Sequence, residues 1–372
     1  MLASMTVEQL IIGYCRGLPA SPWSKMPDWD CCQAIGSVSY VCTQKASGVD
    51  VLIDIGSPYN REEVKEAIWT KVGQNAKNGW NDKKLYVVLT HVHTDHIGNL
   101  DLVDDLRQFP CFRSVEVVCG QTMKEELRIS EEIRIIQTPG HTDHDLSVLV
   151  DRPNQKPIAI VGDLFERKED LEDENIWTAS SAYPEIQQES RKALLEEAGY
   201  IIPGHGPGFH VSGENERVRL VYHEIGPQAV AYPIETSRRD SVSFASLKPP
   251  TDATELQAMN IGGEEDFVVL INCGRDVMNM TEEDRQKVNM VIVHGHYSNA
   301  YALGLFPHAQ IVLGRDLSAP GSVYTGDHIK KNIFTISSTL SIVFSKEDNE
   351  MTLVAKNPDT SVKLRICGSR ET

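Results

Sequence analysis

The 372-residue sequence lacks any apolar run of about 18 residues, the length that a membrane-spanning helix needs. Its N-terminus also lacks a basic stretch followed by an apolar one, the pattern of a signal peptide. The eight cysteines form no Cys-x-x-Cys pair and are scattered, which favours reduced thiols over a disulfide framework. We therefore expect no membrane association and a cytoplasmic location, with the nucleus as a second one.

Basic residues are scarce relative to acidic ones. The 36 Lys and Arg stand against 53 Asp and Glu, which gives a net charge of −17. This excess argues against a broad basic groove for nucleic acid, although it does not exclude a local basic patch. The sequence also has no Ser-His-Asp arrangement and no glycine-rich phosphate loop, so neither kind of active site is predicted.

What the sequence does have is a cluster of metal-ligating residue types in one short segment. His91, His93, Asp95 and His96 directly follow the apolar run 85–89, which is typical of a buried strand. In extended backbone, the side chains of His91 and His93 point the same way, as two ligands of one ion require. The chain then turns, so Asp95 and His96 can face a second point nearby. The segment predicts a metal site.

Further potential ligands follow other predicted strands. We predict strands at residues 34–40, 49–53, 85–89, 115–119, 133–136, 146–150, 158–161 and 200–202, and helices at 61–72, 97–106 and 185–198. Asp54, His141, Asp163 and His205 each lie where a strand ends, in loops rich in Gly or Pro. Side chains in such loops can converge on one edge of a packed β scaffold. We interpret His144 as a surface histidine.

The ordered set of motifs resembles the metallo-β-lactamase-fold hydrolases over residues 34–210. The resemblance implies an α+β fold, the four-layer αββα sandwich, with two zinc ions. It implies that three histidines bind one ion, that an aspartate and two histidines bind the other, and that a second aspartate bridges them. In that order, these residues are His91, His93 and His141; Asp95, His96 and His205; and Asp163. Asp54 matches an acidic residue that supports the site.

The resemblance also implies the chemistry. It predicts hydrolysis by a hydroxide held between the two zinc ions, with Asp95 and Asp163 as catalytic carboxylates. Manganese or iron is not excluded by the ligand types. The finer motifs at residues 162–167, 189–192 and 202–207 resemble one branch of the family, which implies an endoribonuclease that cleaves the 3′ ends of histone pre-mRNA.

Two other functions stay open. The same ligand set serves glyoxalase-II-like thioesterases and other small-ester hydrolases, and the acidic net charge favours such a small substrate over RNA. Arg167, Arg191 and Lys192 are candidate phosphate contacts, although a solvated charged face is the simpler interpretation. A non-catalytic scaffold or binding protein is the alternative of another class, and the intact ligand set counts against it.

The second half of the sequence repeats the pattern of the first without most of its ligands. Residues 267–274 and 291–300 parallel the segments that contain Asp54 and the histidine cluster. The positions of Asp54, Asp95 and His96 are held there by Asn272, Ser298 and Asn299. The remaining pair, His294 and His296, lacks a third ligand and would hold zinc poorly.

This pattern predicts two domains of unequal function. We expect a catalytic domain at residues 1–212, a linker at 213–225 and a degenerate, non-catalytic copy at 226–372. Because a short linker gives a high effective concentration, the copy can dock on the catalytic domain as an intramolecular pseudo-dimer. An independent module on a flexible tether and a homo-oligomer are the alternatives.

Overall fold

The structure is a computed structural model with two compact units. It describes residues 5–17, 32–45, 47–211, 241–246, 257–262, 268–271, 273–293, 297–313, 333–335, 340–345, 350–355 and 361–365. The first unit comprises residues 1–16 and 34–228, and the second comprises 17–33 and 229–372. The proposed linker at 213–225 lies outside the described residues, so the domain boundaries stay a prediction. Among the helices described, none has the length and apolarity needed to cross a bilayer.

The described part of the chain before residue 212 contains thirteen strands and five α-helices. The strands are β1 (Met5–Ile11), β2 (Tyr14–Gly17), β3 (Cys32–Ile35), β4 (Val38–Thr43), β5 (Ser47–Ile53), β6 (Asp82–Leu89), β7 (Phe112–Cys119), β8 (Leu127–Arg128), β9 (Ile133–Gln137), β10 (Leu146–Arg152), β11 (Gln155–Ile160), β12 (Tyr200–Ile202) and β13 (Phe209–His210). The helices are α1 (Arg61–Lys77), α2 (Thr94–Ile97), α3 (Leu102–Arg107), α4 (Asn175–Thr178) and α5 (Pro184–Glu197).

Eleven of these strands build two sheets that pack face to face, and β2 pairs with β3 in a separate two-stranded sheet. The first has the order β1-β4-β5-β6-β7, with β5, β6 and β7 parallel, and the second has the order β13-β12-β11-β10-β9-β8. Side chains alternate across each strand, so every second apolar residue joins one core between the sheets. Members of this core include Val51, Ile53, Val88, Val148 and Ile160.

Helices cover the outer faces of both sheets. On the second sheet, Leu194 and Ala198 at the end of α5 pack with Leu149, Ala159 and Ile201, which point away from the inter-sheet core. On the first sheet, α1 contacts β1 and α3 contacts β7. The first unit is therefore an α+β fold in the predicted order of helix, sheet, sheet and helix.

Two predicted elements are broken where the chain contacts the ligand loops. The strand predicted at 34–40 is interrupted at Gly36 and Ser37, whose backbone N–H groups donate to Asp95 O and Gly204 O. The helix predicted at 97–106 begins only at Leu102, because Asn99 is held by hydrogen bonds from its amide to two carbonyls of the loop after β5. In both cases a long-range contact overrides the local pattern.

The second unit contains separate small sheets. Its strands are β14 (Ser241–Ser246), β15 (Gln257–Gly262), β16 (Val268–Ile271), β17 (Val288–Val293), β18 (Gln310–Leu313), β19 (Ile333–Thr335), β20 (Leu340–Ser345), β21 (Glu350–Ala355) and β22 (Ser361–Arg365), with one described α-helix, α6 (Glu282–Gln286). Strands β16, β17 and β18 are parallel, β14 pairs with β15, and β19 to β22 form an antiparallel sheet.

The proposed repeat falls only partly on described residues. Strands β16, β17 and β18 pair in parallel in chain order, as β5, β6 and β7 do in the first unit. Asn272, His294 and His296 lie outside the described residues, whereas Ser298 is described and exposed. The degenerate copy and its lack of metal therefore stay predictions.

Candidate metal centre

Two groups of His and Asp side chains meet in the loops after the strands of the first unit. One group comprises His91, His93, His141 and Asp163, and the other comprises Asp95, His96, Asp163 and His205. Within each group, one ligand atom from every residue lies within 4.8 Å of the others. The structure thus brings together all seven predicted ligands and places Asp163 in both groups.

Three imidazoles converge in the first group. His93 Nδ1 lies 3.0 Å from His91 Nε2 and 3.0 Å from His141 Nε2. Asp163 Oδ2 lies 3.3 Å from His141 Nε2 and 3.5 Å from His91 Nε2. Burial lowers the pKa of His93 and of His141 to about 3 and holds the pKa of His91 well below its ordinary value. The three rings are therefore neutral, as metal ligation requires.

Carboxylates surround the imidazoles of the second group. His96 Nε2 lies 3.1 Å from Asp163 Oδ1, and His205 Nε2 lies 3.3 Å from Asp95 Oδ2. Burial alone would lower the pKa of His96, but the neighbouring carboxylates, Asp163 first, raise it well above its ordinary value. Asp95 is the most exposed of these side chains, at 15%, so the group opens to solvent on its side.

Buried atoms without hydrogen bonds test whether a metal ion fits. Among the described residues, His96 Nε2 and Asp163 Oδ1 are buried and make no hydrogen bond, although they face each other. Such buried polar atoms cost free energy unless another partner satisfies them. A divalent cation would bind both, since imidazole nitrogen and carboxylate oxygen are ligands of zinc, manganese and iron. The donor set fits a metal centre.

Asp54 holds the loop after β6 in place through hydrogen bonds to Thr90 and His96. Its Oδ1 accepts from Thr90 N at 2.7 Å, and its Oδ2 lies 2.7 Å from both Thr90 Oγ1 and His96 Nδ1. The bond to Nδ1 leaves His96 Nε2 for the metal. His205 is held in the same way, because its Nδ1 lies 3.0 Å from Ile35 O. Burial raises the pKa of Asp54, and His96 and Thr90 oppose that rise.

Glycines leave room for these side chains. A Cβ on Gly204 would overlap Asp163 Oδ1, and a Cβ on Gly162 would overlap the Thr90 hydroxyl. Gly162 also has a φ of +51°, a conformation that favours glycine. The first glycine of the Gly-Asp motif and of the Gly-His-Gly motif is therefore required because a neighbouring side chain lies too close to its backbone for a Cβ.

Two buried residues at the site had no role in the sequence analysis. Glu166 Oε2 lies 3.8 Å from His205 Nε2, and its Oε1 accepts a hydrogen bond from Ser180 Oγ at 2.6 Å. Burial, assisted by the charge of Asp163, raises the pKa of Glu166 to about 8. Gln187 donates from Nε2 to Asp163 O at 3.0 Å. Glu166 lies within the motif at residues 162–167 and Gln187 lies outside the motifs, but no local pattern indicates that either side chain contacts the candidate ligands.

The three candidate phosphate contacts lie in different surroundings. Arg191 is buried, and its guanidinium donates to both carboxylate oxygens of Asp170 and stacks over Phe165, so it is neither a phosphate contact nor a solvated charge. Arg167 is 44% exposed, and its Cβ packs beside Gly206, next to the ligand His205. Lys192 is exposed on α5, and His144 is exposed as expected.

The part of the chain that contains this site is similar to known proteins. The profile of the metallo-beta-lactamase superfamily matches residues 35–205. Metallo-beta-lactamase domain-containing protein 1 of Xenopus laevis is 33% identical over 200 residues, which is 51% of this chain and 78% of that protein. The protein of the same name from Homo sapiens is 34% identical over 213 residues, 55% of this chain and 73% of that protein. A solved N-acyl homoserine lactone hydrolase, with its product at the catalytic metal centre, is 16% identical and aligns with a TM-score of 0.34 over 55% of this chain and 94% of that one.

Proposed function

Because the chain belongs to the metallo-β-lactamase superfamily, we propose that it is a zinc-dependent hydrolase that uses two metal ions. One observation supports this proposal above the others: Asp163 lies in both His and Asp groups. A single carboxylate shared by two ligand sets holds two cations at a short distance, which is the arrangement of two-metal hydrolytic sites.

The ligands divide the work of the site. His91, His93 and His141 would hold one ion, and Asp95, His96 and His205 the other, with Asp163 between them. When bound, such ions lower the pKa of a coordinated water and polarise the bond to be cleaved. Asp95 lies at the open side, where its carboxylate can accept the proton of an attacking water and orient it.

The proposed substrate is a phosphodiester bond of RNA, at the 3′ end of histone pre-mRNA. Its support is the resemblance of residues 162–167, 189–192 and 202–207 to one branch of the family. Arg167 adds a physical reason, because it is exposed beside Gly206, next to the metal ligand His205. A guanidinium at that place can bind a phosphate with two hydrogen bonds.

A small thioester is the second candidate substrate. The net charge of −17 favours it, because a strongly acidic protein repels a polyanion at long range. A binding protein without catalysis is the third candidate, and the complete set of seven ligands argues against it in the first unit.

Turnover of two substrates by the full chain tests the proposal. A labelled RNA with the 3′ end of a histone pre-mRNA and S-lactoylglutathione are incubated with zinc-loaded protein, with and without chelator. We expect chelator-sensitive cleavage of the RNA. Thioester hydrolysis alone would refute the ribonuclease proposal and leave a two-metal hydrolase, whereas elemental analysis without bound metal would refute both.

Arg167→Ala distinguishes the two candidate substrates further, and Lys77→Ala, which removes an exposed lysine at the end of α1, is the control. Loss of the guanidinium should raise the KM for RNA several-fold and leave thioester turnover unchanged. An equal effect of both variants would mean that only general charge matters.

A further inference from the structure

One hydroxyl at the metal centre bonds to a ligand without being a ligand itself. Thr90 lies between the end of β6 and the histidine cluster and is 1% exposed. Its Oγ1 lies 3.1 Å from His91 Nδ1 and 2.7 Å from Asp54 Oδ2. The threonine therefore stands between a carboxylate and a predicted metal ligand.

The direction of these hydrogen bonds follows from their partners. Ionised Asp54 can only accept, so the Thr90 hydroxyl donates its proton to Asp54 Oδ2. The hydroxyl oxygen is then free to accept from His91 Nδ1–H. This arrangement fixes the tautomer of His91 whose Nε2 has no proton, and that atom faces the first group of ligands.

Asp54 makes a direct bond to the second group as well. Its Oδ2 accepts from His96 Nδ1, and His96 Nε2 faces Asp163 in that group. The same carboxylate is thus one bond from a ligand of one group and two bonds from a ligand of the other. Outer hydrogen bonds of this kind orient metal-binding histidines and raise their basicity.

The backbone places Thr90 at a junction of three chain segments. Thr90 N donates to Asp54 Oδ1, and Thr90 O accepts from Leu146 N at the start of β10. Gly162, which precedes the shared ligand Asp163, leaves the space that the hydroxyl occupies. The position of this hydroxyl is therefore set by both sheets, and the glycine of the Gly-Asp motif is required by it.

We propose that Thr90 is a positioning residue whose hydroxyl connects Asp54 to His91, so that one carboxylate orients a ligand in each of the two metal sites. The inference rests on the proposed two-metal centre and is independent of the substrate. Loss of the hydroxyl weakens the first site selectively, because His96 keeps its direct bond to Asp54. Loss of the Asp54 carboxylate weakens both sites.

Metal retention by the full chain tests this connection. Zinc-loaded protein is equilibrated with increasing chelator, and the bound ions are counted by elemental analysis. Thr90→Val removes the hydroxyl at nearly constant volume, and we expect one of two ions to be lost at a chelator concentration about 10- to 100-fold lower than in the wild type. Thr90→Ser restores the hydroxyl and should restore retention. Asp54→Asn, which tolerates the backbone φ of 58° at that position, should release both ions early.

A matched control removes another buried threonine hydroxyl. Thr43 Oγ1 donates to Val49 O at 2.9 Å and contacts none of the ligands described, so Thr43→Val should retain both ions like the wild type. If Thr90→Val does not fold, Thr90→Ala replaces it. Unchanged retention in the hydroxyl-free variant, or a Thr90→Ser variant as weak as Thr90→Val, would overturn the proposal.

Nitrogen-15 NMR of the histidines supplies a readout other than metal content. Wild type should show a slowly exchanging Nδ1–H on His91, and Thr90→Val should lose its protection. A wild type with fewer than two ions would refute the two-metal proposal alone, because the His91 signal would still report the hydrogen bond. A wild type with two ions and no protected Nδ1–H would refute only the role of Thr90.

Discussion

Each of the two units contains three adjacent parallel strands, β5 to β7 in the first and β16 to β18 in the second. The units differ in the loop residues at the ends of those strands. In the first unit, β6 leads into His91, His93 and the short helix α2, which presents Asp95 and His96. In the second unit, β17 is followed, after three residues outside the described part, by a short 3₁₀ turn at Tyr297–Ala300 with exposed Ser298. The end of a parallel strand offers a place for ligands, and the residue types of the loop that follows it decide which ligands are available there.

The largest expected effect comes from the shared ligand. Asp163→Ala should lower the rate of hydrolysis by about a thousandfold or more, roughly 4 kcal/mol of transition-state stabilisation, because both ligand groups lose an oxygen. Steady-state kinetics of the full chain measures this loss, and circular dichroism checks the fold. Asp143→Ala is the control, since that exposed acid follows His141 in the same loop. Activity within about tenfold of wild type, ~1.4 kcal/mol, would contradict a two-metal site centred on Asp163.

Removal of bound metal should lower the melting temperature of the first unit and leave that of the second unchanged. Ions that bind only the folded state stabilise it by about 2.7 kcal/mol at a free concentration of 100 times Kd. Calorimetry of the full chain should therefore show one melting transition that falls on chelation and one that does not. His91→Ala should abolish the shift, and His296→Ala should leave it intact. A chelator-sensitive transition that survives His91→Ala and disappears in His296→Ala would place a metal in the second unit.

A smaller effect is expected from removing the second unit. The sequence predicts that it docks on the first, so residues 1–212 expressed alone should self-associate, aggregate or lose activity several-fold. Light scattering and kinetics, compared with the full chain, measure both outcomes. A soluble, monomeric and fully active fragment would show that the second unit has another role.

The smallest expected effect comes from adding one ligand to the second unit. Asn299→His places a histidine at the position predicted to be equivalent to His96. Ser298, at the position predicted to be equivalent to Asp95, remains a serine. Metal content and hydrolysis should both remain at the wild-type level, as elemental analysis and kinetics will measure. A gain of a tightly bound ion would show that the second unit retains most of a site.

The sequence was sufficient to predict which residues meet at the candidate site but not the contacts that orient them. His91, His141, Asp163 and His205 each follow a short apolar strand, a local pattern that tertiary contacts left unchanged, and the family resemblance supplied their division between two ions. The break in the helix predicted at 97–106 depends on bonds to a loop more than 40 residues away.

Burial of a charge is equally hard to predict from a local pattern. Arg191 follows a polar stretch of α5, yet it is paired with Asp170, which lies 21 residues earlier in the chain. Thr90 shows the same limit, because its partner Asp54 is 36 residues away and the glycine that makes room for it is on another strand end. A side chain's neighbours across the fold decide such roles.

The spacing of the ligands along the chain has a consequence for how the centre is assembled during synthesis. The first group is complete once Asp163 has left the ribosome, whereas the second waits for His205, which is 42 residues later. At about 5–20 residues per second, this interval lasts about 2 to 8 s. A nascent chain therefore passes through a stage at which every residue of the first group has been synthesised while the second group still lacks His205.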